Sequence, residues 1–512
     1  MFGSVRNLFR LCRIIFILAR YRALISTKSY TVPSLLQYLL CLIPARPEIR
    51  GLRSGERLAR ALETMGPSFI KLGQTLSTRA DLVGEDIAAD LAMLRDKLPP
   101  FSSRQARAIV ENELEKPLSE LFSHFEDTPV AAASIAQVHW AVTPDNRKVA
   151  VKILRPDIEK AFARDIALFF WIARLIEALR PGLRRLKPVD VIRLFEAAVR
   201  IEMDLRFEAA AASELKENGK GDVGFYVPEV DWQRTSHRVM TLEWIEGTPI
   251  FDRDALIAKG HDPKKIAGQL AVIFFNQAYR DGFFHADMHP GNLFVNGNGD
   301  IVPVDFGIMG RLDKKTRIYV AQILRGFLLR DYHAVARVHF AAGYVPSSQS
   351  EGNFAQACRS IGEPIVGLPQ NQISIAKLLA QLFKITEDFQ METQPQLLLL
   401  QKTMVLVEGV GAMLYPDVNM WQLAEPWIER WAIENLSKKA QVRDGIHHLG
   451  TVLHKLPENL ERIEKIMECF SAEGLKLHTP RRPTPSRLFL GGVILATSAA
   501  TALTCWLLAA NF

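Results

Sequence analysis

The feature that most constrains this chain is a pair of polar clusters separated by the signature of a β-hairpin. The first cluster is His285-Ala-Asp-Met-His-Pro-Gly-Asn292, and the second is Asp305-Phe-Gly. The intervening residues alternate as two short strands, and Gly297-Asn-Gly299 supplies the turn between them. Because a hairpin brings its two open ends together, we expect Asn292 and Asp305 to be neighbours.

The spacing of these residues is typical of phosphotransfer. Asp287 would face the attacking hydroxyl or water, while Asn292 and Asp305 would hold Mg²⁺ against nucleotide phosphates. Mg²⁺ prefers hard oxygen ligands and keeps several waters, so one amide and one carboxylate are enough. The alternative is a helix cap followed by a chance Asp-Phe-Gly turn. The spacing together with the hairpin favours the phosphotransfer interpretation.

Composition excludes several classes of protein. With 512 residues, 48% hydrophobic and 23% charged, the chain is globular and long enough for two or three domains. The net charge of +7 is modest, and no Asp or Glu precedes Glu48. A basic end beside apolar residues predicts a membrane surface and not a nucleic acid as the partner. The five scattered cysteines indicate neither a zinc site nor a disulfide scaffold, which favours a reducing compartment.

The N-terminal segment predicts an amphipathic helix over residues 2–22. Its arginines fall on one side at helical spacing, and its leucines and isoleucines fall elsewhere. This pattern is typical of a helix lying on a membrane surface. A cleaved, Arg-rich organellar presequence is the alternative, and the dense apolar run Ile14–Leu18 favours the surface helix.

Residues 51–126 are predicted to be helical, with breaks at Gly66-Pro67 and Pro99-Pro100. Lys71, Gln74 and Thr78 recur at helical intervals within this segment. By spacing alone, they indicate a solvated polar face of the helix.

Residues 130–138 occupy the place of a kinase phosphate loop, with alanines where glycines are usual. Ala131, Ala133 and Ala136 match the glycine positions, and alanine makes such a loop stiffer because it avoids positive φ. An Ala-rich run alone favours a helix, but the strand 148–154 that follows carries Lys152 in Val-Ala-Val-Lys, as a phosphate-binding lysine requires. The predicted nucleotide-binding stretch is Val130, Ala131, Ala132, Ala133, Ser134, Ile135, Ala136, Gln137 and Val138.

A phosphate-binding lysine needs a glutamate on a following helix to orient it. Here an additional apolar helix, Asp157–Leu179, comes first, and a second helix is predicted from Pro188 to about residue 217. Glu208 on that second helix is the candidate partner of Lys152. Glu202 lies six residues earlier, about 240° around the same helix, so it must face another partner. Exposed surface carboxylates are the alternative for both glutamates.

Two further strands, 227–231 and 238–247, lead into a hinge, where the backbone of Leu242–Trp244 is predicted to meet an adenine edge. A helix over 262–281 then leads to His285. After Asp-Phe-Gly the chain has no Ala-Pro-Glu and no long activation loop, and helices are predicted through about Phe470. This favours water, a small molecule or a lipid as the phosphoryl acceptor over a peptide.

The ordered set of motifs resembles the UbiB/ABC1/ADCK family of atypical kinases over roughly Gly51 to Gly310. The resemblance implies an α+β, bilobal protein-kinase-like fold with an N-terminal helical extension, a helical C-terminal region and a C-terminal transmembrane helix. It also implies weak or absent protein-kinase activity, unusual nucleotide selectivity and ATPase activity that supports ubiquinone biosynthesis. The family motif covers the active site and meets a Glu-x-Asp motif, which overturns the solvated-face interpretation. Its residues here are Lys71, Gly73 and Gln74, opposite Glu202 and Asp204.

The C-terminal segment predicts a membrane anchor. Residues 488–510 are free of charge and span about 34 Å as a helix, enough to cross a hydrocarbon core of about 30 Å. Arg481, Arg482 and Arg487 place the preceding linker on the cytoplasmic side. A buried core helix is the alternative. The resemblance to bacterial family members indicates the bacterial inner membrane, with the mitochondrial inner membrane as the alternative.

These predictions divide the chain into six parts. They are a basic amphipathic segment (1–50), the helical extension (51–126), a kinase-like N-lobe with a helical insertion (127–247), a C-lobe with a helical region (248–475), a basic linker (476–487) and the transmembrane helix (488–510). The predicted cofactors are ATP or ADP and Mg²⁺. The predicted partners are membrane lipids, quinone precursors and ubiquinone biosynthesis proteins, with a homodimer left open. The rival functions are a true kinase acting on a lipid or a biosynthetic protein and a nucleotide-sensing scaffold that assists lipid extraction.

Overall fold

The computed structural model describes residues 2–23, 43–77, 83–91, 98–179, 188–366 and 394–416, together with Leu94 and single positions between 381 and 391. All of these residues belong to one compact unit. The predicted basic linker and transmembrane helix lie outside the described residues, as does Thr78.

The chain begins with helices, as its sequence pattern predicts. Tyr21, directly after the first helix, is buried against Ile49 and Ala61, and its hydroxyl lies 2.7 Å from Thr64 Oγ1. The predicted break at Gly66-Pro67 is present, and Gly66 has a φ of +107°, which favours glycine. These helices are α1 (Phe2–Arg20), α2 (Ser54–Met65), α3 (Pro67–Ser77) and α4 (Glu85–Leu91).

An antiparallel five-stranded sheet follows, in the order β1-β3-β4-β5 with β2 added beside β3. Along β4, Val149, Val151 and Ile153 are buried on one face against the two preceding helices. Lys152 pairs in register with Val138 and Met240 and points to the opposite face. The elements are α5 (Ser103–Leu114), α6 (Leu118–Leu121), β1 (His124–Phe125), β2 (Ala131–Ala132), β3 (Ala136–Val142), β4 (Lys148–Leu154) and β5 (Val239–Glu243).

Among the described residues, three α-helices lie between β4 and β5, where two were predicted. They are α7 (Ile158–Leu179), α8 (Pro188–Glu202) and α9 (Leu205–Asn218). The prediction of one continuous helix from Pro188 to about residue 217 is wrong. Asp204 takes an extended conformation and its side chain accepts a hydrogen bond from the Arg206 N–H, so it ends α8 and caps α9. The directions of Glu202 and Glu208 are therefore set by two separate helices.

A second core holds the C-terminal lobe together. It is built on large buried side chains such as Phe274, Phe284, Phe327 and Tyr332. The elements are β6 (Gly247–Pro249), α10 (Arg253–Ala258), α11 (Pro263–Phe275), a π-helix (Asn276–Asp281), β7 (Phe283–His285), β8 (Leu293–Asn296), β9 (Ile301–Pro303), β10 (Met309–Arg311), α12 (Lys314–Leu328), α13 (Tyr332–Ala341), α14 (Glu351–Val366) and α15 (Pro395–Leu414).

The predicted hairpin is present, because β8 pairs antiparallel with β9 and Leu293 lies opposite Pro303. The Val304 N–H donates to the Asn292 carbonyl at 3.0 Å, so Asn292 and Asp305 are neighbours at the open end, as expected. β10 pairs with β7 directly after Asp-Phe-Gly, and α12 then begins at Lys314. A long activation loop is therefore absent from this described stretch, as predicted.

Among the described residues, one helix is long and apolar enough to cross a membrane, α15 (Pro395–Leu414). Length and composition alone support that assignment. Met404, Val407 and Val410 of α15 are buried in the same core as α11, which gives the helix a packing role inside the lobe. The whole arrangement is the kinase-like α+β fold with a helical C-terminal region that the motifs predicted.

Candidate active site

The predicted partner of Lys152 lies beside it. Glu208 Oε1 is 2.5 Å from Lys152 Nζ, and both side chains are largely buried. The same oxygen accepts the Phe306 N–H at 3.3 Å, and Lys152 Nζ lies 3.4 Å from Asp305 Oδ2. One glutamate on α9 therefore links the lysine of β4 to the backbone of Asp-Phe-Gly. This arrangement holds an ammonium group beside the second carboxylate of the cleft.

The charges of this cluster depend on one another. Exclusion of water would raise the pKa of Asp305, but Lys152, the Gly307 N–H, His285 and Lys71 outweigh it and lower that pKa to about 2. Burial would lower the pKa of Lys152, and the carboxylates of Asp305 and Glu208 raise it instead. Burial raises the pKa of Glu208, against the opposing effect of Lys152. Asp305 is therefore a carboxylate at neutral pH, as a cation ligand must be.

Asp287 lies in the loop after β7 and is held from two sides. Asn292 Nδ2 lies 3.3 Å from both the Asp287 carbonyl oxygen and Oδ2. The His289 N–H donates to the Asp287 carbonyl at 2.7 Å, which closes the loop. The carboxylate is 30% exposed and opens to solvent, so a hydroxyl or water can reach it.

The π-helix between α11 and β7 helps to position the loop that carries Asp287. Its buried Gln277 accepts the His285 N–H at 3.0 Å, and His285 Nδ1 accepts the Asp287 N–H at 3.1 Å. Burial lowers the pKa of His285, so the ring is neutral and can act as an acceptor. Sequence analysis missed Gln277, because a π-helix has no sequence signature of its own. π-helices of this kind often occur at functional sites.

The open end of the hairpin suits a hard cation. Asn292 would supply an amide oxygen, and Asp305 would supply the carboxylate that stays ionised. Its Oδ1 already accepts the Gly307 N–H at 2.9 Å, which fixes the orientation of the carboxylate. Among the described residues, no cluster of three or more His, Cys, Asp or Glu could hold a metal by itself. The two predicted ligands therefore fit an ion that takes its remaining oxygens from water and phosphate.

The alanine loop is a strand-turn-strand and not a helix. The Ala133 N–H donates to the Ala136 carbonyl at 2.8 Å, and the Val130 N–H donates to the Val138 carbonyl at 2.8 Å. Arg155 closes the turn from outside, because its guanidinium donates to the Ala133 carbonyl. Ser134 at the tip is fully buried. The loop is thus held by two of its own backbone hydrogen bonds and by Arg155, and the stiffness expected of alanine in place of glycine stays a prediction.

The helical extension reaches the N-lobe through an ion pair. Lys71 Nζ of α3 lies 2.9 Å from Glu202 Oε2 of α8, and both side chains are mostly buried. The Asp204 carboxylate accepts from the Arg206 guanidinium at 2.7 and 2.9 Å, and its placement opposite Lys71 and Gln74 stays a prediction. In the described part of the chain, Gln74 forms a hydrogen bond through its backbone carbonyl, which accepts from the Ser77 hydroxyl.

Gly73 has a packing role between these two motif residues. A Cβ at this position would lie 2.4 Å from Leu94 Cδ1 and 2.7 Å from Leu62 Cδ1. Only a glycine therefore lets α3 approach Leu62 of α2 without displacing both methyl groups.

The hinge at Leu242–Trp244 stays a prediction, and two of its amide groups already have backbone partners. The Glu243 N–H donates to the Glu229 carbonyl at 2.8 Å, and the Trp244 N–H donates to the Lys148 carbonyl at 3.0 Å. Both amide donors are used by neighbouring backbone, so a donor to adenine would have to follow Trp244.

Like Gln277, Lys402 was not predicted from the sequence. Lys402 Nζ of α15 lies 3.0 Å from Asp287 Oδ1, across 115 residues of sequence. The sequence feature that could have indicated its role is that Lys402 is a single lysine within the apolar run of Pro395–Leu414.

The chain matches models of two families. Residues 93–339 match the ABC1 atypical kinase-like domain, and residues 358–419, which include α15, match the UbiB helical domain. It is 41% identical to a probable protein kinase UbiB of Marinobacter nauticus over 455 residues, which cover 88% of this chain and 83% of that protein. A protein with the same description from Pseudomonas fluorescens is 39% identical over 93% of this chain and 89% of its own length.

Another from Pseudomonas putida is 38% identical and covers 97% of this chain and 94% of the relative. Among solved structures, the chain is similar to Rv3197 of Mycobacterium tuberculosis, determined with erythromycin, at 27% identity and a TM-score of 0.47. That similarity covers 69% of this chain and 90% of the other.

Proposed function

Because the chain belongs to the UbiB family of ABC1 atypical kinase-like proteins, we propose that it is a membrane-associated, Mg²⁺-dependent ATPase that supports ubiquinone biosynthesis. The single observation that supports phosphotransfer most strongly is the chain of contacts from Lys152 through Glu208 to Asp-Phe-Gly. A chain that only binds a partner has no need to keep a buried lysine and glutamate beside Asp305, because removing such groups from water is costly.

The residues divide the proposed chemistry among them. Lys152 binds nucleotide phosphates from the N-lobe side, and Glu208 orients it. Asn292 and Asp305 hold Mg²⁺, which neutralises phosphate charge when it is bound. Asp287 orients the attacking hydroxyl or water and accepts its proton, while Asn292 holds the Asp287 carboxylate through Oδ2.

The surroundings of the site favour an acceptor other than a peptide. Lys71 and Glu202 hold the helical extension against the N-lobe, and the positive charge of Lys71 helps to lower the pKa of Asp305. β10 leads directly into α12, so the surface on which kinases hold a peptide is missing from this described stretch. Water or a small phenolic or lipid molecule is the proposed acceptor.

The membrane assignment rests on both ends of the chain. In α1, Phe9 is 75% exposed and Phe16 is 49% exposed, which is costly in water and favourable in a lipid interface. Arg10 of α1 forms an ion pair with Asp165 of α7, so the helix is held against the N-lobe. The charge-free segment 488–510 is the proposed inner-membrane anchor.

The test uses full-length protein in liposomes, with ATP, Mg²⁺ and a phenolic quinone precursor. Wild type should release inorganic phosphate, and Asp287→Asn should lower turnover by roughly 10²–10⁴-fold, as expected for a lost proton acceptor. Equal turnover by Asp287→Asn would remove Asp287 from the mechanism. Phosphate found on a lipid or protein with little free phosphate would establish the kinase alternative. Nucleotide binding without turnover would establish the sensing scaffold.

A further inference from the structure

The cation nearest to the reacting carboxylate comes from outside the kinase-like domain. Lys402 of α15 lies 3.0 Å from Asp287 Oδ1, while Asn292 Nδ2 approaches the other carboxylate oxygen at 3.3 Å. α15 belongs to the segment that matches the UbiB helical domain and not to the one that matches the ABC1 domain. The site is thus completed by a separate part of the sequence.

α15 is built to hold this lysine in place. Met404, Val407 and Val410 anchor it in the core of the C-lobe, and its only charged residues are Lys402 and Glu408. A lysine within such an apolar helix is unfavourable unless it has a partner, and Asp287 is that partner. Because 32% of the lysine and 30% of the aspartate side chain remain exposed, the pair faces the cleft and is open to a ligand.

The loop that carries Asp287 has no cation of its own. Residues 287–292 contain no Lys or Arg, and His289 Nδ1 accepts the Gly291 N–H. Lys152 and Lys71 approach from the N-lobe and the extension. A nucleotide whose terminal phosphoryl group lies against Asp287 would therefore meet positive charge from the C-lobe side at Lys402.

We propose that Lys402 is a catalytic residue that binds the terminal phosphoryl group during transfer, an inference that rests on the proposed function. The acceptor oxygen bonds to the terminal phosphorus as the bond from phosphorus to the bridging oxygen of ADP breaks. The acceptor proton passes to Asp287. Lys402 keeps its proton, pairs with Asp287 before the nucleotide binds and then balances the charge on the non-bridging phosphoryl oxygens.

A purely structural ion pair at this exposure has a different consequence. Such pairs contribute little to stability, and their removal leaves catalysis untouched. The two roles are separated by comparing affinity for ADP with affinity for ADP–aluminium fluoride, which mimics the phosphoryl group in transfer. A transition-state contact affects the second ligand alone.

The experiment compares full-length wild type, Lys402→Met, Lys402→Arg and Lys265→Met in liposomes. Met keeps the aliphatic stem of Lys402, and Lys265 on α11 is an exposed lysine away from the site that controls for loss of one charge. Lys402→Met should lower both kcat for ATP hydrolysis and ADP–aluminium fluoride affinity by roughly 10²–10³-fold. ADP affinity should stay within about threefold of wild type, as for an interaction made only in the transition state. Lys402→Arg should recover part of both losses.

Two results would overturn the proposal in distinguishable ways. If Asp287→Asn is inactive while Lys402→Met behaves like Lys265→Met, or loses ADP and analogue affinity equally, Lys402 is not a catalytic residue and the proposed ATPase stands. If wild type neither binds nor hydrolyses ATP, the proposed function fails and the role of Lys402 fails with it.

Discussion

Lys71 of the helical extension and Glu202 of the N-lobe form an ion pair with 2.9 Å between Nζ and Oε2. This pair joins α3 to the last residue of α8. The next helix, α9, carries Glu208. The exposed fractions of the two side chains are 12% and 17%, so solvent screens the pair less than a surface pair. It holds the extension against the lobe that would bind nucleotide.

Breaking the ion pair between Lys71 and Glu202 should loosen the contact of the helical extension with the N-lobe. Lys71→Ala should raise the association rate of a fluorescent ATP analogue several-fold, because the extension loses its charged contact, and stopped-flow fluorescence measures the rate. Arg60→Ala removes an exposed ion pair with Glu63 on α2 and is the matched control. If Lys71→Ala and Arg60→Ala both bind nucleotide at the wild-type rate, the helical extension does not control nucleotide entry into the site.

Gly73→Ala should destabilise the extension by about 1–3 kcal/mol, the usual cost of overpacking. The new methyl group would meet Leu94 and Leu62 at 2.4 and 2.7 Å, and both side chains would have to move. Gly409→Ala in α15 is the control, since a Cβ there meets nothing within 4 Å and helix propensity favours alanine. Thermal unfolding of both variants measures the difference, and a Gly73→Ala protein as stable as Gly409→Ala would contradict the packing role.

Glu208→Gln should lower kcat/KM for ATP hydrolysis by about 10–100-fold, or about 1.4–2.7 kcal/mol of lost transition-state stabilisation. Without this carboxylate, Lys152 retains only Asp305 at 3.4 Å and would compete with Mg²⁺ for it. The control is Glu214→Gln on the same helix, which removes an exposed ion pair with Arg311. Steady-state kinetics over a range of Mg²⁺ concentrations should show the loss in Glu208→Gln only.

Stability should depend on pH through His339. Burial in the C-lobe lowers the pKa of His339 to about 4, against the hydrogen bond to the Val335 carbonyl. The unfolded chain binds a proton at this histidine near pH 6.5, and the folded protein does not. The free energy of unfolding is therefore at its full value above about pH 6.5 and decreases as pH falls toward 4. The shift corresponds to about 3 kcal/mol at 1.36 kcal/mol per pKa unit.

The measurement is the melting temperature between pH 4.5 and 7.5 for wild type and two variants. His339→Phe should be less sensitive to acid than wild type, because phenylalanine cannot titrate. His333→Gln, an exposed site on the same helix, should follow the wild-type profile. Identical acid sensitivity in wild type and His339→Phe would assign the effect to other groups.

The sequence by itself determined whatever depends on neighbours along the chain. The alternation around Gly297–Gly299 predicted the hairpin, and the hairpin placed Asn292 beside Asp305. The setting of Lys152 predicted a strand, and its glutamate partner was found because kinases share that pairing. The fold class followed from the family resemblance that the ordered motifs carry, and the individual strands and helices followed from side-chain periodicity.

Only the tertiary structure decided which distant side chains meet. The predicted helix is interrupted at Asp204, where buried Met203 and Leu205 pack into the N-lobe core. Lys402 reaches Asp287 across 115 residues because core packing of α15, not any local motif, sets its direction. Such contacts depend on where helices pack in space, and the periodicity of a single helix does not contain that information.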